Sequence, residues 1–570
     1  MFYKISVRHY LLTCLLALVC LQSSPALAQR NKPKDATPKT PPAQENPAPM
    51  RPRVVAEEDD NWQKSHNKVR QAMSIVQGYY MDKPNADKAA EDAIKGMLEE
   101  LDPHSVYISA SEYKKVNEPL LGNFEGIGVQ YNLVKDTIVI VSTISGGPSE
   151  RVGIMAGDKI VMIEDRIMAG IKLTNDTVMK QLRGPKDTKV RVKIKRNGQK
   201  DLLDFTIIRD KIPLYSIEAT YMARPNIGYI KLGRFSATTT DEMTDAIFKL
   251  QQQGMKDLIL DLRGNGGGLL NAAVELSSML FPPSTLITYT EGRKSRRMDY
   301  PAMGFGQMAK GRLVVLIDEG SASASEIVSG AVQDWDRGLI IGRRSFGKGL
   351  VQKPFMLSDS SYIRLTIAQY FTPSGRCIQR AYDEGKDAYQ KELSNRFEKG
   401  ELTDIHNVHI PDSLAFETRR LKRKVYGGGG ILPDIFVPLD TSLSHSYYDE
   451  MSRKNVINQY ILDYVNNNRQ QLKSRYPDLE TFKKNYEFTD DLFKQLYAEA
   501  TKEGVENKNP ADFEKIKPRV RVLLKALVAR YLWDTGAYSQ IANETNDAYQ
   551  KAIGALQDGT MERLKISPLE

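Results

Sequence analysis

Cysteine, histidine and tryptophan are scarce in this sequence. Among 570 residues there are three cysteines, six histidines and three tryptophans. Cys14 and Cys20 lie close to the N-terminus, which leaves Cys377 alone in the rest of the chain. A single cysteine cannot form an internal disulfide, and it cannot supply a cysteine-based metal site. The sequence therefore excludes a disulfide-stapled fold and a zinc-cysteine centre.

Long apolar runs are missing after the N-terminus. Tyr10–Leu21 is apolar but too short to span a bilayer comfortably. A basic region precedes it and Ala26-Leu27-Ala28 follows, which predicts a secretory signal peptide over residues 1–28. A lipoprotein leader ending at Cys20 is the alternative, although Val19 stands where a small residue is expected. We expect an exported, periplasmic protein that associates with the membrane only if Cys20 carries lipid.

Charge of one sign is not in strong excess. The net charge of +9 is modest for this length, and no basic patch is interleaved with aromatic residues. The basic run Arg419–Lys424 is interpreted as a solvated loop or helix face. We therefore expect no nucleic-acid partner. A chain of 570 residues is too long for one core, so several domains are predicted.

The residues that suggest chemistry concentrate between Leu313 and Gln352. The apolar run Leu313–Ile317 predicts a buried strand, and the small residues Gly320–Ser325 lead into a helical pattern. A second apolar run, Leu339–Ile341, precedes Lys348, which stands between two glycines. In this order of strand, tight turn, helix and strand, a serine lies in the turn after the first strand and a lysine lies after the second strand.

This order of elements suits acyl transfer. A serine on a strand-to-helix turn is exposed, and the amides after it face a developing oxyanion. A serine needs a base, and a lysine can act as one if burial lowers its pKa. No histidine falls in this stretch, and His104, in Asp102-Pro103-His104-Ser105, is interpreted as a turn or capping residue. From composition alone, a plain helix start with a lysine in a surface turn remains the alternative.

Several motifs resemble those of the C-terminal processing peptidases, also called tail-specific proteases. The shared stretches are a PDZ-like segment, DLRGNGGG, SASASEI, FGKGLVQ and GGGGILPDIFV. The resemblance implies that Ser323 is the nucleophile, that Lys348 is the general base and that Gln352 orients the lysine. The choice of Ser323 over Ser321 or Ser325 rests on the family spacing, because the sequence alone does not decide it.

The resemblance also assigns an oxyanion hole to the glycine-rich segment. Gly267 or Gly268 would donate one amide and Ala324 the other, and the choice between the two glycines stays open. No GK[ST] follows this loop, so it is not a Walker phosphate loop.

Residues 122–212 alternate as strands around one predicted helix, Asn175–Leu182, and resemble a PDZ domain. In such domains a glycine-hydrophobe loop offers amides to a peptide C-terminal carboxylate, and the peptide adds as an edge strand. A small β-rich domain without a ligand is the alternative. We hypothesise that Arg183 couples peptide occupancy to the catalytic core. The predicted peptide-binding residues are Gly126, Ile127, Gly128, Val129, Val178, Leu182 and Arg183.

The predicted fold is a multidomain α/β protein. A ClpP/crotonase-like catalytic core carries an inserted β-rich PDZ domain, with helical N- and C-terminal parts. The helical C-terminal part has no recognised chemical motif and is expected to brace the core or to mediate self-association. The predicted divisions are a signal peptide (1–28), a disordered linker (29–60), a helical N-terminal region (61–121), the PDZ domain (122–212), the serine peptidase domain (213–440) and the helical C-terminal domain (441–570).

The predicted function is that of an exported serine endopeptidase with a Ser-Lys dyad. Its substrates would be proteins recognised through their C-terminal tails, and the reaction needs no metal and no cofactor. A homo-oligomer or an adaptor as a further partner is left open. A catalytically silent PDZ scaffold is one alternative, and a crotonase-like acyl-CoA enzyme is another. The Ser323–Lys348 pair argues against the first, and the PDZ segment argues against the second.

Overall fold

The computed structural model describes residues 60–134, 136–144, 146–304 and 306–569. The predicted signal peptide, the alternative lipid site at Cys20 and nearly all of the predicted linker lie outside these ranges. Within them, no helix combines the length and the apolarity needed to cross a membrane.

The described chain is helical at both of its ends and mixes helices with strands between them. The helices are α1 (Asp60–Tyr79), α2 (Ala86–Glu99), α3 (Ala110–Leu121), α4 (Pro148–Arg151), α5 (Asn175–Leu182), α6 (Thr239–Gln252), α7 (Leu270–Leu280), α8 (Ala324–Asp334), α9 (Lys386–Glu398), α10 (Ser446–Arg453), α11 (Val456–Arg475), α12 (Leu479–Asn485), α13 (Asp490–Lys502), α14 (Pro510–Leu532), α15 (Thr535–Ala542), α16 (Asp547–Gln557) and α17 (Thr560–Arg563). The strands are β1 (Val106–Ile108), β2 (Asn123–Gly126), β3 (Val129–Val134), β4 (Thr137–Thr143), β5 (Lys159–Ile163), β6 (Arg166–Ile167), β7 (Lys189–Lys195), β8 (Leu203–Ile208), β9 (Asp210–Pro213), β10 (Ile217–Arg224), β11 (Ile227–Leu232), β12 (Asp257–Asp261), β13 (Leu286–Gly292), β14 (Ser295–Pro301), β15 (Leu313–Ile317), β16 (Leu339–Gly342), β17 (Leu350–Met356), β18 (Tyr362–Phe371), β19 (Ala415–Glu417), β20 (Lys424–Tyr426) and β21 (Ile435–Phe436).

A mainly parallel sheet forms the centre of the peptidase part. Its strand order is β10-β11-β12-β15-β16-β21, with β10 antiparallel at one edge. Every residue of β12 and β15 is buried, as expected of parallel strands that are covered on both faces. Helices α6, α7 and α8 contribute the buried residues that pack on one face.

The opposite face of this sheet is covered by helices from much later in the chain. Tyr229, Ile259 and Leu316 from the sheet share one apolar cluster with Tyr549 and Ile553 of α16. The predicted helical C-terminal part therefore contains two groups of helices with different partners. Helices α16 and α17 complete the peptidase core, whereas α10–α15 supply most of a separate apolar cluster.

We call residues 446–542, which form α10–α15, the helical module. In sequence it lies between β21 and α16, both of which belong to the peptidase layers. It is therefore an insertion into the peptidase fold. An ion pair between Arg519 and Asp440, 2.5 Å long, ties it to the segment that leads out of β21.

A second sheet carries the lysine side of the site. Its order is β1-β18-β13-β14, with β17 also paired to β18. Strand β1, from the predicted N-terminal region, pairs antiparallel with β18 and sets Val106 opposite Arg364. The N-terminal region is thus built into the peptidase part and does not hang from it.

The PDZ part is a small sheet of order β3-β4-β5-β7-β8 with α5 packed on its core. Strands β2 and β9 pair where the chain enters and leaves it, with Phe124 opposite Ile212. Strand β3 lies at the edge of the sheet and pairs only with β4 among the described strands. That free edge is the geometry an added peptide strand requires.

Candidate active site

Ser323 occupies the turn between β15 and α8. Its backbone has φ 54° and ψ −111°, an unfavourable conformation for a residue other than glycine, which costs about 1–3 kcal/mol. Every residue from position 321 to position 334 is buried except Ser323, which is half-buried. The turn therefore presents this one side chain to the surface of the site.

The hydroxyls of the neighbouring serines are already engaged. Ser321 Oγ donates to the carbonyl of Leu262 at 2.8 Å, and Ser325 Oγ donates to the carbonyl of Asn265 at 2.8 Å. Both side chains are fully buried. Within the described part of the chain, no acceptor takes the Ser323 hydroxyl proton. The geometry thus separates three serines that the sequence left equivalent.

A buried carboxylate holds the serine turn to the lysine turn. Glu326 Oε2 accepts the backbone N–H of Ser323 at 2.7 Å and that of Lys348 at 2.9 Å. Its Oε1 accepts the N–H of Gly347 at 2.7 Å and the hydroxyl of Ser345 at 2.6 Å. Burial raises the pKa of Glu326, and these hydrogen bonds oppose the rise. Sequence reasoning missed this residue, although Ser-x-x-Glu at a helix start is a capping-box signal.

Tyr370 joins the same two turns from β18. Its hydroxyl lies 3.0 Å from the carbonyl oxygen of Ser323 and also contacts the carbonyl oxygen of Lys348. The ring is fully buried. Ser323 and Lys348 are therefore fixed to each other through their main chains, by Glu326 at the amides and by Tyr370 at the carbonyls. No local sequence signal points to this tyrosine.

Lys348 has the environment of an uncharged amine. Burial lowers its pKa, and the charge of Arg364 lowers it further, while Glu326 and Asp102 act in the opposite sense. No carboxylate forms an ion pair with Lys348 anywhere in the described ranges. The amine forms no hydrogen bond with the Ser323 hydroxyl in this structure either, as is common in unliganded sites.

The glycine-rich loop packs directly on the serine turn. A Cβ on Gly267 would lie 2.8 Å from Ser323 Cβ, so only glycine permits this approach. The N–H of Gly267 donates to Asn265 Oδ1 at 2.9 Å. The amides of Gly268 and Ala324 have no acceptor among the residues that the structure describes. Of the two predicted glycines, Gly268 is the one whose amide is available to a ligand.

The segment interpreted as a simple turn reaches the site. Asp102 accepts the amides of His104 and Ser105 at 2.8 and 3.0 Å, as a turn residue would. The same carboxylate accepts the hydroxyl of Thr366 at 3.0 Å, across 264 positions of sequence. Thr366 stands opposite Gln352 in the β17–β18 pair, and Gln352 Nε2 lies 3.4 Å from Thr366 Oγ1. Gln352 contacts Thr366 and, in the described structure, forms no hydrogen bond with Lys348.

His104 lies beside the lysine but turns its ring to another partner. Its Nε2 is 2.9 Å from the Tyr389 hydroxyl. Burial and the nearby charge of Lys348 lower the pKa of His104 to about 4. The imidazole is therefore neutral at neutral pH. The interpretation of His104 as a turn or capping residue did not foresee the contact of its ring with Tyr389 of α9. It also did not foresee that Asp102 accepts a hydrogen bond from Thr366 of β18.

The predicted peptide-binding residues divide into a loop, a helix face and a hinge. The loop bends at Gly128, with φ 73°, and β3 starts at Val129. Ile127 is buried, as are Val178 and Leu182, all three in the PDZ core. The helix side chains therefore reach a ligand only if the groove between β3 and α5 opens.

Arg183 contacts both the N-terminal region and the predicted carboxylate loop. It forms an ion pair with Glu118 of α3, and its guanidinium lies 4.4 Å from the centre of the Phe124 ring. Its stem also lies along Gly126, since a Cβ there would be 3.6 Å from Arg183 Cγ. One side chain thus touches the predicted carboxylate loop and α3, the helix that follows β1.

Four family models match parts of the chain. Residues 226–384 match peptidase family S41, and residues 126–207 match the PDZ domain. Residues 38–112 match the N-terminal domain of the activating protease CtpB. Residues 447–534, which make up most of the helical module, match a family of unknown function.

Two curated relatives of this chain are named as proteases. A probable CtpA-like serine protease of Staphylococcus aureus is 33% identical over 314 residues, which are 55% of this chain and 62% of that protein. The chain thus covers less than two thirds of that relative. A carboxy-terminal-processing protease of Bartonella bacilliformis is 36% identical over 331 residues, 57% of this chain and 75% of that protein.

Among solved structures, the photosystem II D1 C-terminal processing protease is 27% identical. The alignment covers 67% of this chain and 89% of that one, with a TM-score of 0.35. The resemblance predicted from the motifs is confirmed by the family models and the curated relatives. With its PDZ domain, its helical regions and its mixed α/β peptidase part, the chain belongs to peptidase family S41, the carboxy-terminal-processing proteases.

Proposed function

We propose that this protein is a serine endopeptidase in which Ser323 and Lys348 form the catalytic dyad. One observation carries the proposal: Glu326 and Tyr370 fix the serine turn and the lysine turn to each other, and the lysine is buried without an ion pair. A scaffold that only binds peptides has no need for a lysine whose pKa is lowered by burial and whose turn is fixed to that of a strained serine.

The reaction begins with proton transfer from serine to lysine. The neutral amine of Lys348 takes the hydroxyl proton as Ser323 Oγ attacks the substrate carbonyl carbon. A lowered lysine pKa keeps a larger share of the amine unprotonated near neutral pH, which is what a general base requires. The ammonium then gives its proton to the leaving amine, and water releases the acyl group in a second cycle.

The oxyanion formed by this attack needs donors that are already in place. The free amides of Gly268 and Ala324 supply two of them, because neither is consumed by a protein acceptor. Gly267 has a different task, which is to let the loop approach Ser323 without a side chain in the way. We propose Gly268 and Ala324 as the oxyanion hole, on a core of the ClpP/crotonase type.

Gln352 and Asp102 position the lysine strand. The contacts from Asp102 to Thr366 and from Thr366 to Gln352 connect the N-terminal region to β17, four residues beyond the lysine. We propose that this connection holds β17 in register against β18 and that Gln352 turns to the lysine when substrate is bound. Both residues act through others and are positioning residues.

We further propose that the PDZ domain captures the C-terminal tails of exported substrate proteins. The free edge of β3 and the bend at Gly128 support this, since they offer a strand edge and a carboxylate loop. Arg183 would transmit the presence of a bound tail from the PDZ domain to the N-terminal region, because it touches the carboxylate loop on one side and Glu118 of α3 on the other. The predicted leader supports a periplasmic location, and no metal or cofactor enters the mechanism.

The decisive experiment is a digestion assay with matched variants. Purified parent protein, Ser323→Ala, Lys348→Ala and Ser321→Ala are incubated with casein and with a reporter that bears a C-terminal tail. We expect Ser323→Ala and Lys348→Ala to lose all measurable cleavage and Ser321→Ala to retain it when folded. Cleavage by Lys348→Ala at the parent rate would eliminate the dyad, and a parent protein that binds the tail without cutting would be a silent scaffold.

A further inference from the structure

The PDZ part and the helical module enclose a cleft of about 690 Å³. We call it the hairpin cleft, because its PDZ wall is the β3–β4 hairpin, including Leu133 and Val134. The opposite wall is formed by α11 and α13, with Tyr460, Tyr464 and Asn467 among its residues. The two walls touch: a Cβ on Gly157 would lie 3.0 Å from the side-chain amide carbon of Asn466.

The position of the cleft follows from the direction of a bound tail. A tail whose carboxylate lies at the Gly126–Val129 loop can only extend antiparallel along the free edge of β3. Strand β3 runs over 6 residues from Val129 to Val134. At about 3.3 Å per residue, its edge accommodates roughly the last five or six residues of the tail. The residues upstream of these leave the groove beside Leu133 and Val134, where the cleft begins.

We propose that the hairpin cleft is a second substrate subsite, which binds the polypeptide segment immediately upstream of the PDZ-bound C-terminus. The inference rests on the proposed function, namely on the capture of tails by the PDZ domain. It assigns a role to the helical module, for which the family match supplies none.

The chemistry of the module wall suits an extended polypeptide. Tyr460 and Tyr464 lie one helical turn apart with near-parallel rings, 6.4 Å between centroids, and offer flat apolar faces with polar ends. Gln459 also lines the cleft and donates its side-chain amide to Asp463 at 2.8 Å.

The charges around the cleft select against a strongly charged segment. Lys159 and Lys454 bring positive charge, and Asp463, Glu499 and Glu503 bring negative charge, so the two signs nearly cancel. The exposed amide of Asn467 adds a group that donates and accepts. The ligand class is therefore an extended segment with few charges and with aromatic or aliphatic side chains.

The test compares short and long tails on the full chain carrying Ser323→Ala, so that no peptide is cut. Random C-terminal pentapeptides with free carboxylates are first screened for binders by fluorescence anisotropy. Each binder is then extended upstream to about twelve residues with an uncharged random pool, which is long enough to pass β3. We expect the best extended peptides to bind about tenfold more tightly than their pentapeptides.

Two variants of the module wall provide the matched comparison. Tyr464→Ala and the surface change Asn467→Ala should weaken the extended peptides toward the pentapeptide affinity and leave the pentapeptides unaffected. Gln470→Ala, on an exposed position of α11 outside the cleft, should change neither. Thermal melting of each variant reports whether it is folded. If Tyr464→Ala does not fold, Asn467→Ala alone is compared with Gln470→Ala.

The outcomes separate this inference from the proposed function. Equal affinities of short and extended peptides, or equal effects of Asn467→Ala and Gln470→Ala, would overturn the cleft as a subsite and leave tail recognition standing. A failure to select any pentapeptide, or binding that survives amidation of the C-terminus, would remove tail recognition and this inference with it.

Discussion

The serine turn and the peptide-binding edge of the PDZ domain are held in place by different means. At the turn, a fully buried carboxylate accepts four hydrogen bonds and a buried tyrosine hydroxyl lies between two carbonyls. At the PDZ edge, the side chain that leads to the rest of the molecule is Arg183, whose partly exposed guanidinium forms a single ion pair with the largely buried Glu118. Buried networks with several hydrogen bonds fix geometry, whereas a single ion pair that solvent can reach exchanges more easily.

This difference indicates which part of the molecule is rigid and which part can rearrange. The groups that we propose to make and break bonds are held in one geometry by buried hydrogen bonds. The groups that we propose to recognise the substrate have a contact that can change partners at smaller cost. Substitutions at the turn should therefore reduce kcat, and substitutions at the PDZ edge should affect the response to a tail.

The strongest test of the comparison is Glu326→Gln. The amide keeps the size of the carboxylate but places an NH2 group against N–H donors, so the two turns separate slightly. We expect kcat to fall about hundredfold with little change in KM, since small displacements of reacting groups have effects of this size. Initial rates on a peptide substrate measure it.

Glu112→Gln is the matched control for this change. Glu112 completes an equivalent capping box at the start of α3, but it is exposed and far from the serine in sequence. It should leave kcat unchanged. A Glu326→Gln protein that melts like the parent and cleaves at the parent rate would remove the buried carboxylate from the explanation.

The next test concerns the N-terminal connection to β17. Asp102→Asn replaces a carboxylate oxygen with a donor and removes one charge that raises the pKa of Lys348. We expect kcat to fall about tenfold through lost positioning, while the rising limb of the pH profile, which reports the pKa of Lys348, moves to lower pH. A fall in kcat together with this shift would identify Asp102 as a residue that acts on Lys348. The loss of a merely structural contact would not shift the pH profile.

Asp404→Asn controls for the turn itself. Asp404 accepts the amide of His406 at 2.9 Å, in the same Asp-x-His arrangement, on an exposed loop. Its substitution should alter neither rate nor pH profile. Identical behaviour of the two variants would contradict a role for Asp102 in the site.

A smaller effect is expected at Arg364, whose charge lowers the pKa of Lys348. Activity should rise with pH through the lysine pKa, because only the neutral amine accepts the proton. Arg364→Gln removes the nearby cation, so this pKa should increase and the rate at neutral pH should fall a few-fold, with recovery at higher pH. Arg364→Lys keeps the charge and should retain the parent profile, and a shift in the opposite direction would refute the assignment.

The smallest effect is expected at the PDZ edge. Arg183→Ala should slow cleavage of a tailed reporter by a few-fold and leave an untailed casein unaffected, because the change removes one ion pair whose arginine is partly exposed to solvent. Glu118→Gln should produce a similar change if the pair is the connection. Arg183→Ala cleavage of the tailed reporter at the parent rate would show that occupancy is not transmitted through this residue.

Local patterns predicted individual elements well. The predicted helix Asn175–Leu182 has the bounds of α5, and the run Leu313–Ile317 is β15. The expected turn between strand and helix holds Ser323. Each of these elements is determined by a few neighbouring residues. The spacing of apolar residues and the capping residues are therefore enough to predict it.

The contacts that complete the site were not predictable in this way. Asp102 reaches Thr366 across 264 positions, and Tyr370 reaches Ser323 across 47. The apolar face of α16 predicts that this helix is packed against another element. The sequence does not predict that this element is the central parallel sheet. Such pairings are fixed by the tertiary fold, and a single sequence contains no period or motif that specifies them.

The cover that α16 provides for the parallel sheet has a consequence for biosynthesis. The serine turn is made long before α16 emerges from the ribosome, and until then one apolar face of the central sheet has no partner. A growing chain therefore exposes this apolar surface until α16 has been synthesised, and the packing on that face of the sheet is complete only after that point.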